Sequence, residues 1–183
     1  MTTPTRVTVE EFLALEETKP YLELISGEVV PKTMPGPRHS AIVFELVRQL
    51  GNFLRVNPIA RGNTELRHIQ RDEERIFLPD ISVTLRERWQ GGVTGPVEVM
   101  PDLAIEVLSP DDRPGRISER VNFYIRAGVS LIWIIDPDLK NITIYRPGAE
   151  PAFLQSRGTV DALPVLPGFE LDLAELFTAS QDA

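Results

Sequence analysis

The chain has 183 residues, of which 42% are hydrophobic and 25% charged, and its formal net charge is −8. This composition is typical of a globular protein, and we expect one domain over residues 1–183. The chain has no cysteine and only two histidines, which excludes disulfides and thiolate zinc sites and disfavours a metal site built on imidazole. Any metal ion would therefore be bound by oxygen, which points to magnesium, manganese or calcium.

The sequence favours a protein without a membrane partner. No apolar run approaches the roughly 20 residues that span a bilayer, and the first six residues lack the apolar core of a secretory signal. We therefore expect a cytoplasmic location. The negative net charge argues against a protein that coats nucleic acid without specificity, because phosphate binding is mainly electrostatic. A local basic groove is still compatible with this net charge. The arginines that could form one are Arg48, Arg55, Arg61, Arg67, Arg71, Arg86, Arg88, Arg113, Arg116 and Arg120.

The first third of the chain predicts a short helix, a hairpin and a long helix. The short helix begins with a capping box at Thr8–Glu11. Strands at Tyr21–Ile25 and Glu28–Val30 are joined by a tight turn, and a proline-rich loop follows over residues 31–37. From Arg38 to Leu54, apolar residues recur at three- and four-residue spacings, which predicts a helix with one core-facing side.

The remaining elements predict an α/β domain with a mixed β-sheet flanked by helices. Two runs in this part, around residue 80 and around residue 105, are almost wholly apolar, as in strands that are covered on both faces. The predicted elements are a strand at Phe77–Leu85, a surface loop at Glu87–Val99, strands at Leu103–Leu108, Leu131–Ile135 and Asn141–Tyr145, a helix at Ile117–Ala127, and a terminal helix at Leu171–Phe177.

Two acids, Asp80 and Glu106, stand inside these apolar runs. A buried ionised carboxylate costs several kcal/mol unless a cation or hydrogen-bond donors meet it. If the two strands pair, both carboxylates converge on one edge of the sheet. Together with the backbone carbonyl of Val107 they would suit a magnesium ion that keeps several waters. The alternative is that both acids are merely satisfied polar groups at strand ends.

Three further residues are candidates for the same site. Arg120 borders the apolar stripe of the predicted helix, so its stem can run along apolar surface and direct the guanidinium to the sheet edge. Glu23 lies in an apolar strand, with an exposed sheet face as the alternative. His39 lies at the start of the long helix, where a histidine is commonly only a surface or capping residue.

At these residues the chain resembles the Uma-type branch of the PD-(D/E)XK restriction-endonuclease-like proteins. The resemblance covers nearly the whole chain. The residues that carry it are Glu23–Glu28, His39, Pro79-Asp80, Pro101–Pro110, Tyr124, Gly128-Val129, Ile132–Pro137 and Leu166–Phe169.

The resemblance implies a restriction-endonuclease-like fold and a metal-dependent DNA endonuclease. Asp80 and Glu106 match the acids that bind Mg²⁺ or Mn²⁺, and Glu23 and His39 match positions near the cleft. The lysine that this branch usually has four residues before the tyrosine is Arg120 here. An arginine keeps the positive charge but does not release a proton. By analogy with nucleases that cut both strands, we expect a homodimer.

A second interpretation stays open at this point. The replacement of lysine by arginine is compatible with a catalytically inactive nuclease fold that binds DNA, and the acidic composition with one that binds another protein. In either interpretation, recognition would come from loops such as Glu87–Val99. The sequence does not indicate which DNA is recognised.

Overall fold

The structure is a computed structural model that describes residues 6–90, 92 and 94–179. None of the helices in these ranges is long and apolar enough to cross a membrane. The helices are α1 (Val9–Leu13), α2 (Pro37–Val56), α3 (Pro114–Arg126) and α4 (Leu173–Ala179). The strands are β1 (Leu22–Ile25), β2 (Glu28–Pro31), β3 (Ala60–Thr64), β4 (His68–Gln70), β5 (Arg75–Phe77), β6 (Ile81–Leu85), β7 (Leu103–Val107), β8 (Leu131–Asp136), β9 (Asn141–Tyr145), β10 (Ala152–Gln155), β11 (Thr159–Ala162) and β12 (Leu166–Asp172).

The central element is a six-stranded sheet in the order β10-β9-β8-β7-β6-β3. Strands β7 and β8 are parallel and are connected through α3, whereas the other neighbours pair antiparallel. A parallel pair needs such a crossover connection, which explains why the long connection falls between these two strands. The predicted mixed sheet flanked by helices is confirmed.

The two faces of β7 meet different helices. Leu103, Ile105 and Val107 pack in the core that includes α2 and α4. Ala104 packs on the opposite side with side chains of α3. Successive side chains of a strand point to opposite faces, so Glu106 belongs to the face of Ala104. The carboxylate of Glu106 therefore lies between the central sheet and α3.

A second, smaller sheet has the strand order β2-β1-β5-β4 and covers the region of the Glu106 carboxylate. Leu24 of β1 pairs with Ile76 of β5, and both side chains are fully buried. The β1–β2 hairpin pairs Glu23 with Val30 and Leu22 with Pro31. This register gives the hairpin two residues, Glu23 and Lys32, on the face that meets the central sheet.

Several predicted boundaries are wrong. The strand predicted at Phe77–Leu85 is two strands, because Leu78-Pro79-Asp80 interrupts the ladder between β5 and β6. The edge strand β3 was not predicted, since its sequence Ala-Arg-Gly-Asn-Thr has little apolar alternation. Helix α3 begins at Pro114 rather than Ile117, with proline at the first helical position.

The predicted terminal helix and the predicted surface loop also need correction. Residues up to Asp172 form β12, and the helix begins only at Leu173. In the loop Glu87–Val99, Val97 is buried and bridges to His68. Residues 91 and 93 of this loop lie outside the described residues.

His68 is a fully buried core histidine of β4. Its Nδ1 donates to the backbone carbonyl of Val99 at 2.8 Å, and its ring stacks on Phe77 with centroids 5.4 Å apart. The other ring nitrogen, Nε2, has no hydrogen-bond partner within the described part of the chain. Burial lowers the pKa of His68 from 6.5 to about 4, because a charged imidazole would be poorly solvated there.

The depressed pKa of His68 predicts acid sensitivity. The unfolded chain binds the proton more readily, so this contribution to stability is complete above pH 6.5 and is lost as the pH falls toward 4. The complete protonation of His68 in the folded state would lower the free energy of unfolding by about 3 kcal/mol. Urea unfolding at pH 7.5 and pH 4.5 should therefore show a smaller pH effect for His68→Gln than for the wild type. An equal pH effect in both proteins would contradict the assignment.

Candidate active site

Glu106 is the buried carboxylate of the central strand β7, with 3% of its side chain exposed. Its Oε1 accepts a hydrogen bond from the hydroxyl of Tyr124, and its Oε2 accepts one from Nη1 of Arg120 at 2.9 Å. Arg120 and Tyr124 are four residues apart on α3 and therefore lie on one face of the helix. Burial raises the pKa of Glu106 to about 7, and the charge of Arg120 offsets only part of that effect.

Arg120 connects two buried acids from different sheets. Its Nη2 lies 3.1 Å from Oε2 of Glu23, while Nη1 contacts Glu106. The second oxygen of Glu23 accepts a hydrogen bond from the backbone N–H of Leu78 at 3.0 Å. The exposed-face alternative for Glu23 is therefore wrong, because this carboxylate is buried and paired. The guanidinium spans two acids at once through two of the nitrogens of its planar fork.

Asp80 lies directly before β6 and forms the second half of the site. Its Oδ2 accepts hydrogen bonds from the backbone N–H of Val107 at 2.8 Å and from Nε2 of His39 at 3.1 Å. Its Oδ1 lies 2.8 Å from Nζ of Lys32. Burial alone would raise the pKa of Asp80, but the hydrogen bond from His39 and the charge of Lys32 hold it well below its usual range.

Lys32 is a site residue that the sequence reasoning missed. Its ammonium contacts Asp80, donates to the carbonyl of Leu78 at 2.9 Å and lies 3.8 Å from Glu65. Burial alone would lower the pKa of Lys32, but the carboxylates of Asp80 and Glu106 outweigh this and raise it. The sequence pattern does contain a hint of this position. Side chains alternate between the two faces of a strand, so Lys32 lies on the same face as Val30, and Val30 pairs with Glu23 in the hairpin.

His39 lies in the first turn of α2, and 12% of its side chain is exposed. Because the Asp80 carboxylate accepts only, the hydrogen on the imidazole is assigned to Nε2. The other nitrogen, Nδ1, is buried and has no hydrogen-bond partner among the described residues. The ring is therefore held in the site by Asp80 through Nε2.

The comparisons with known proteins agree with this architecture. The family model "Uma2: Putative restriction endonuclease" matches residues 9–174. The chain belongs to the Uma2 family. A crystal structure from Anabaena variabilis ATCC 29413, described as "a putative nuclease belonging to DUF820", is 31% identical and superposes with a TM-score of 0.85 over 95% of this chain and 99% of that one. Among curated proteins, no match to the chain was found.

These matches confirm the family resemblance and the restriction-endonuclease-like fold that was inferred from the motifs. The site of this Uma2 protein lies where the two halves of the Glu106 and Asp80 network meet. A cavity of about 10 Å³, about the volume of one water, is lined by Asp80, Glu106, Val107, Lys32 and Arg120, among others. Both carboxylates thus line the same small space from neighbouring strands.

The chemistry of the donors fits a hard cation such as Mg²⁺, which prefers carboxylate oxygens and water. Within the described part of the chain, however, no cluster of three or more histidine, aspartate or glutamate side chains has a metal-ligating arrangement. An ion would therefore depend on Asp80 and Glu106 together with backbone oxygen or water. Val107, which we expected to contribute its carbonyl, contacts the site through its N–H, which donates to Asp80.

Removal of the Arg120 guanidinium should destabilise the fold. In Arg120→Met, the buried acids Glu23 and Glu106 lose their shared cation, and we expect a loss of about 3 kcal/mol in the free energy of unfolding. Urea unfolding at pH 8, where Glu106 is mostly ionised, measures this loss.

The matched control is Arg126→Met on the same helix. Arg126 pairs with Glu73 at the surface, so the expected loss is at most about 1 kcal/mol. Equal losses in the two variants would mean that the buried pairs contribute no more than a surface pair.

Proposed function

We propose that this chain is a metal-dependent nuclease of the PD-(D/E)XK type that hydrolyses phosphodiester bonds in DNA. The observation that carries the proposal is the convergence of Asp80 and Glu106, from two paired strands, on one cavity beside the Arg120 guanidinium. Membership of a family described as restriction endonucleases supports DNA as the substrate.

The balance of charge in the site supports a divalent ion. Three buried carboxylates, Glu23, Asp80 and Glu106, face two cations, Lys32 and Arg120, and Asp112 lines the same cavity, so negative charge is in excess. Burial raises the pKa of Glu106 to about 7, and the neighbouring carboxylates of Asp80 and Glu23 add to this effect. A divalent ion would offset the excess of negative charge.

In this proposal Asp80 and Glu106 hold Mg²⁺ or Mn²⁺. Such an ion, when bound, lowers the pKa of a coordinated water and stabilises charge that develops on the phosphate. Arg120 supplies fixed positive charge beside the reacting phosphate but does not take up a proton. His39 lines the same small cavity and contacts Oδ2 of Asp80 through Nε2, so in this proposal it orients the Asp80 carboxylate toward the ion.

One observation favours the second candidate, a catalytically silent nuclease fold that acts as a binding module. Each carboxylate oxygen of Asp80 and Glu106 already has a protein partner: Lys32, His39 or Val107 for the first acid, and Arg120 or Tyr124 for the second. A network that is satisfied in this way is held together without an ion. The two candidates differ in whether a metal displaces these partners.

Cleavage of supercoiled plasmid with Mg²⁺ or Mn²⁺ tests the enzyme. We expect nicking by the wild type and a loss of at least a hundredfold in Asp80→Asn and Glu106→Gln, because each variant removes a charged ligand from the site. Asp136→Asn, at the end of β8, is the control that should cut normally. Equal background cleavage by all four proteins would leave only the silent module.

The same assay examines the arginine in place of the family's usual lysine. If Arg120 acts only as fixed charge, Arg120→Lys keeps most of the cleavage rate. If a smaller, more mobile ammonium serves better, the variant cuts faster than the wild type. Loss of cleavage at retained stability would mean that the guanidinium's bridge to Glu23 is needed to hold Glu106 in place.

Lys32 should compete with the metal ion, because its ammonium contacts the Asp80 oxygen that an ion would use. Lys32→Met removes this tethered cation, and titration calorimetry should then give an Mn²⁺ affinity at least tenfold higher than that of the wild type. Lys140→Met, in the β8–β9 turn, is the matched control with the same change in net charge. An unchanged affinity in Lys32→Met would mean that Lys32 and the ion do not share Asp80.

A further inference from the structure

A cavity of about 720 Å³ lies away from the carboxylates, between α2 and the edge strand β3. Three arginines from three separate segments line it: Arg55 near the end of α2, Arg61 in β3 and Arg86 after β6. Among the described residues, no acidic residue lines this cavity. In a protein with 27 acidic and 19 basic residues, such a concentration of one sign of charge is a local exception. We call this cavity the arginine groove.

The three guanidiniums differ from most other arginines of the chain in having no carboxylate partner among the described residues. Arg55 reaches only the side-chain oxygen of Asn52, at 3.5 Å, and Arg61 stacks over the ring of Trp89 at 4.5 Å. By contrast, Arg38, Arg48, Arg67, Arg71, Arg75, Arg88, Arg120, Arg126 and Arg146 each form an ion pair. The arginine groove therefore presents positive charge that the protein itself does not neutralise.

The floor of the groove has an unsatisfied donor as well. The side-chain nitrogen of Asn63 in β3 is buried and has no hydrogen-bond partner among the described residues, although Asn63 lines the cavity. A buried donor without an acceptor is costly, and a rotation of this side chain toward the groove would let a ligand oxygen accept from it. Exposed guanidiniums around a free amide are donors of the kind that phosphate oxygens accept.

A second cavity, of about 340 Å³, shares lining residues with the arginine groove and with the carboxylate site. Val47 and Thr64 line both this cavity and the groove. At its other end this cavity is lined by His39 and Asp80, which also line the small cavity of the site. The passage follows α2. Along it, Phe44 is 75% exposed, and the lining carboxylates are Glu65, beside Lys32, and Asp80 at the end that meets the site.

We propose that the arginine groove binds the phosphodiester backbone of the DNA substrate on one side of the bond that is cut. This inference rests on the proposed function and adds where the substrate lies. From His39 to Arg55 the helix advances about 24 Å, which is about seven base-pair steps of B-form DNA. DNA that ends well short of about seven base pairs from the cut on that side should therefore not reach Arg55.

Binding of fluorescein-labelled 30-mers, measured by anisotropy in EDTA, tests the proposal without dependence on cleavage. The groove variant combines Arg55→Gln, Arg61→Gln and Arg86→Gln. The control variant removes the same number of charges elsewhere, with Arg126→Gln, Arg146→Gln and Arg157→Gln. In 50 mM salt we expect at least a tenfold loss of affinity in the groove variant and less than a twofold loss in the control variant.

The salt dependence gives a second readout. Loss of three phosphate contacts to a duplex should reduce the slope of log K against log salt by about 2.7. Separate titrations with duplex and single-stranded 30-mers identify the form that the groove binds. A single strand that stacks on Phe44 should also lose affinity in Phe44→Ala.

Equal losses in the groove and control variants would overturn the proposal, since they would mean that only the overall charge matters. A wild type that binds neither form of DNA in 50 mM salt would overturn it as well. Failure of the proposed function looks different. In that case the wild type does not cut with Mg²⁺ or Mn²⁺, while its DNA binding still depends on the groove arginines.

Discussion

The ion pair between Glu106 and Arg120 is the interaction on which the site depends. Glu106 stands near the C-terminal end of the buried strand β7, and its carboxylate is covered by α3. Ionising a carboxylate in such a place is unfavourable without a cation and donors. Arg120 and Tyr124 supply both from consecutive turns of one helix. The position of α3 against the sheet and the charge of the acid are thereby coupled.

The site also requires the small sheet. Glu23 and Lys32 both come from the β1–β2 hairpin, and each meets one half of the network: Glu23 pairs with Arg120, and Lys32 pairs with Asp80. Leu78, just after β5, donates its N–H to Glu23 and accepts from Lys32. The two sheets are therefore joined by charged groups that lose their partners if the hairpin moves.

The sequence predicts the parts of this arrangement whose cause is local. Apolar runs around Asp80 and Glu106 indicated buried strands, and the spacing of Arg120 within its helix indicated a guanidinium directed at the sheet. Lys32 was missed because its role depends on hairpin register. The strand β3 was missed because an edge strand has one open side and tolerates polar residues and glycine, so its pattern is weak.

The net charge of the chain does not describe where its charges lie. The value of −8 argues against DNA binding only if charges are spread evenly. In this fold most arginines are used within the protein, as bridges to acids on neighbouring elements, and contribute little field outside it. Three of the arginines without an ion pair, Arg55, Arg61 and Arg86, face one groove, and a second cavity borders both this groove and the carboxylate site. A negatively charged protein can therefore present a positive path to a phosphate backbone, because the potential near a surface is set by the closest unneutralised charges.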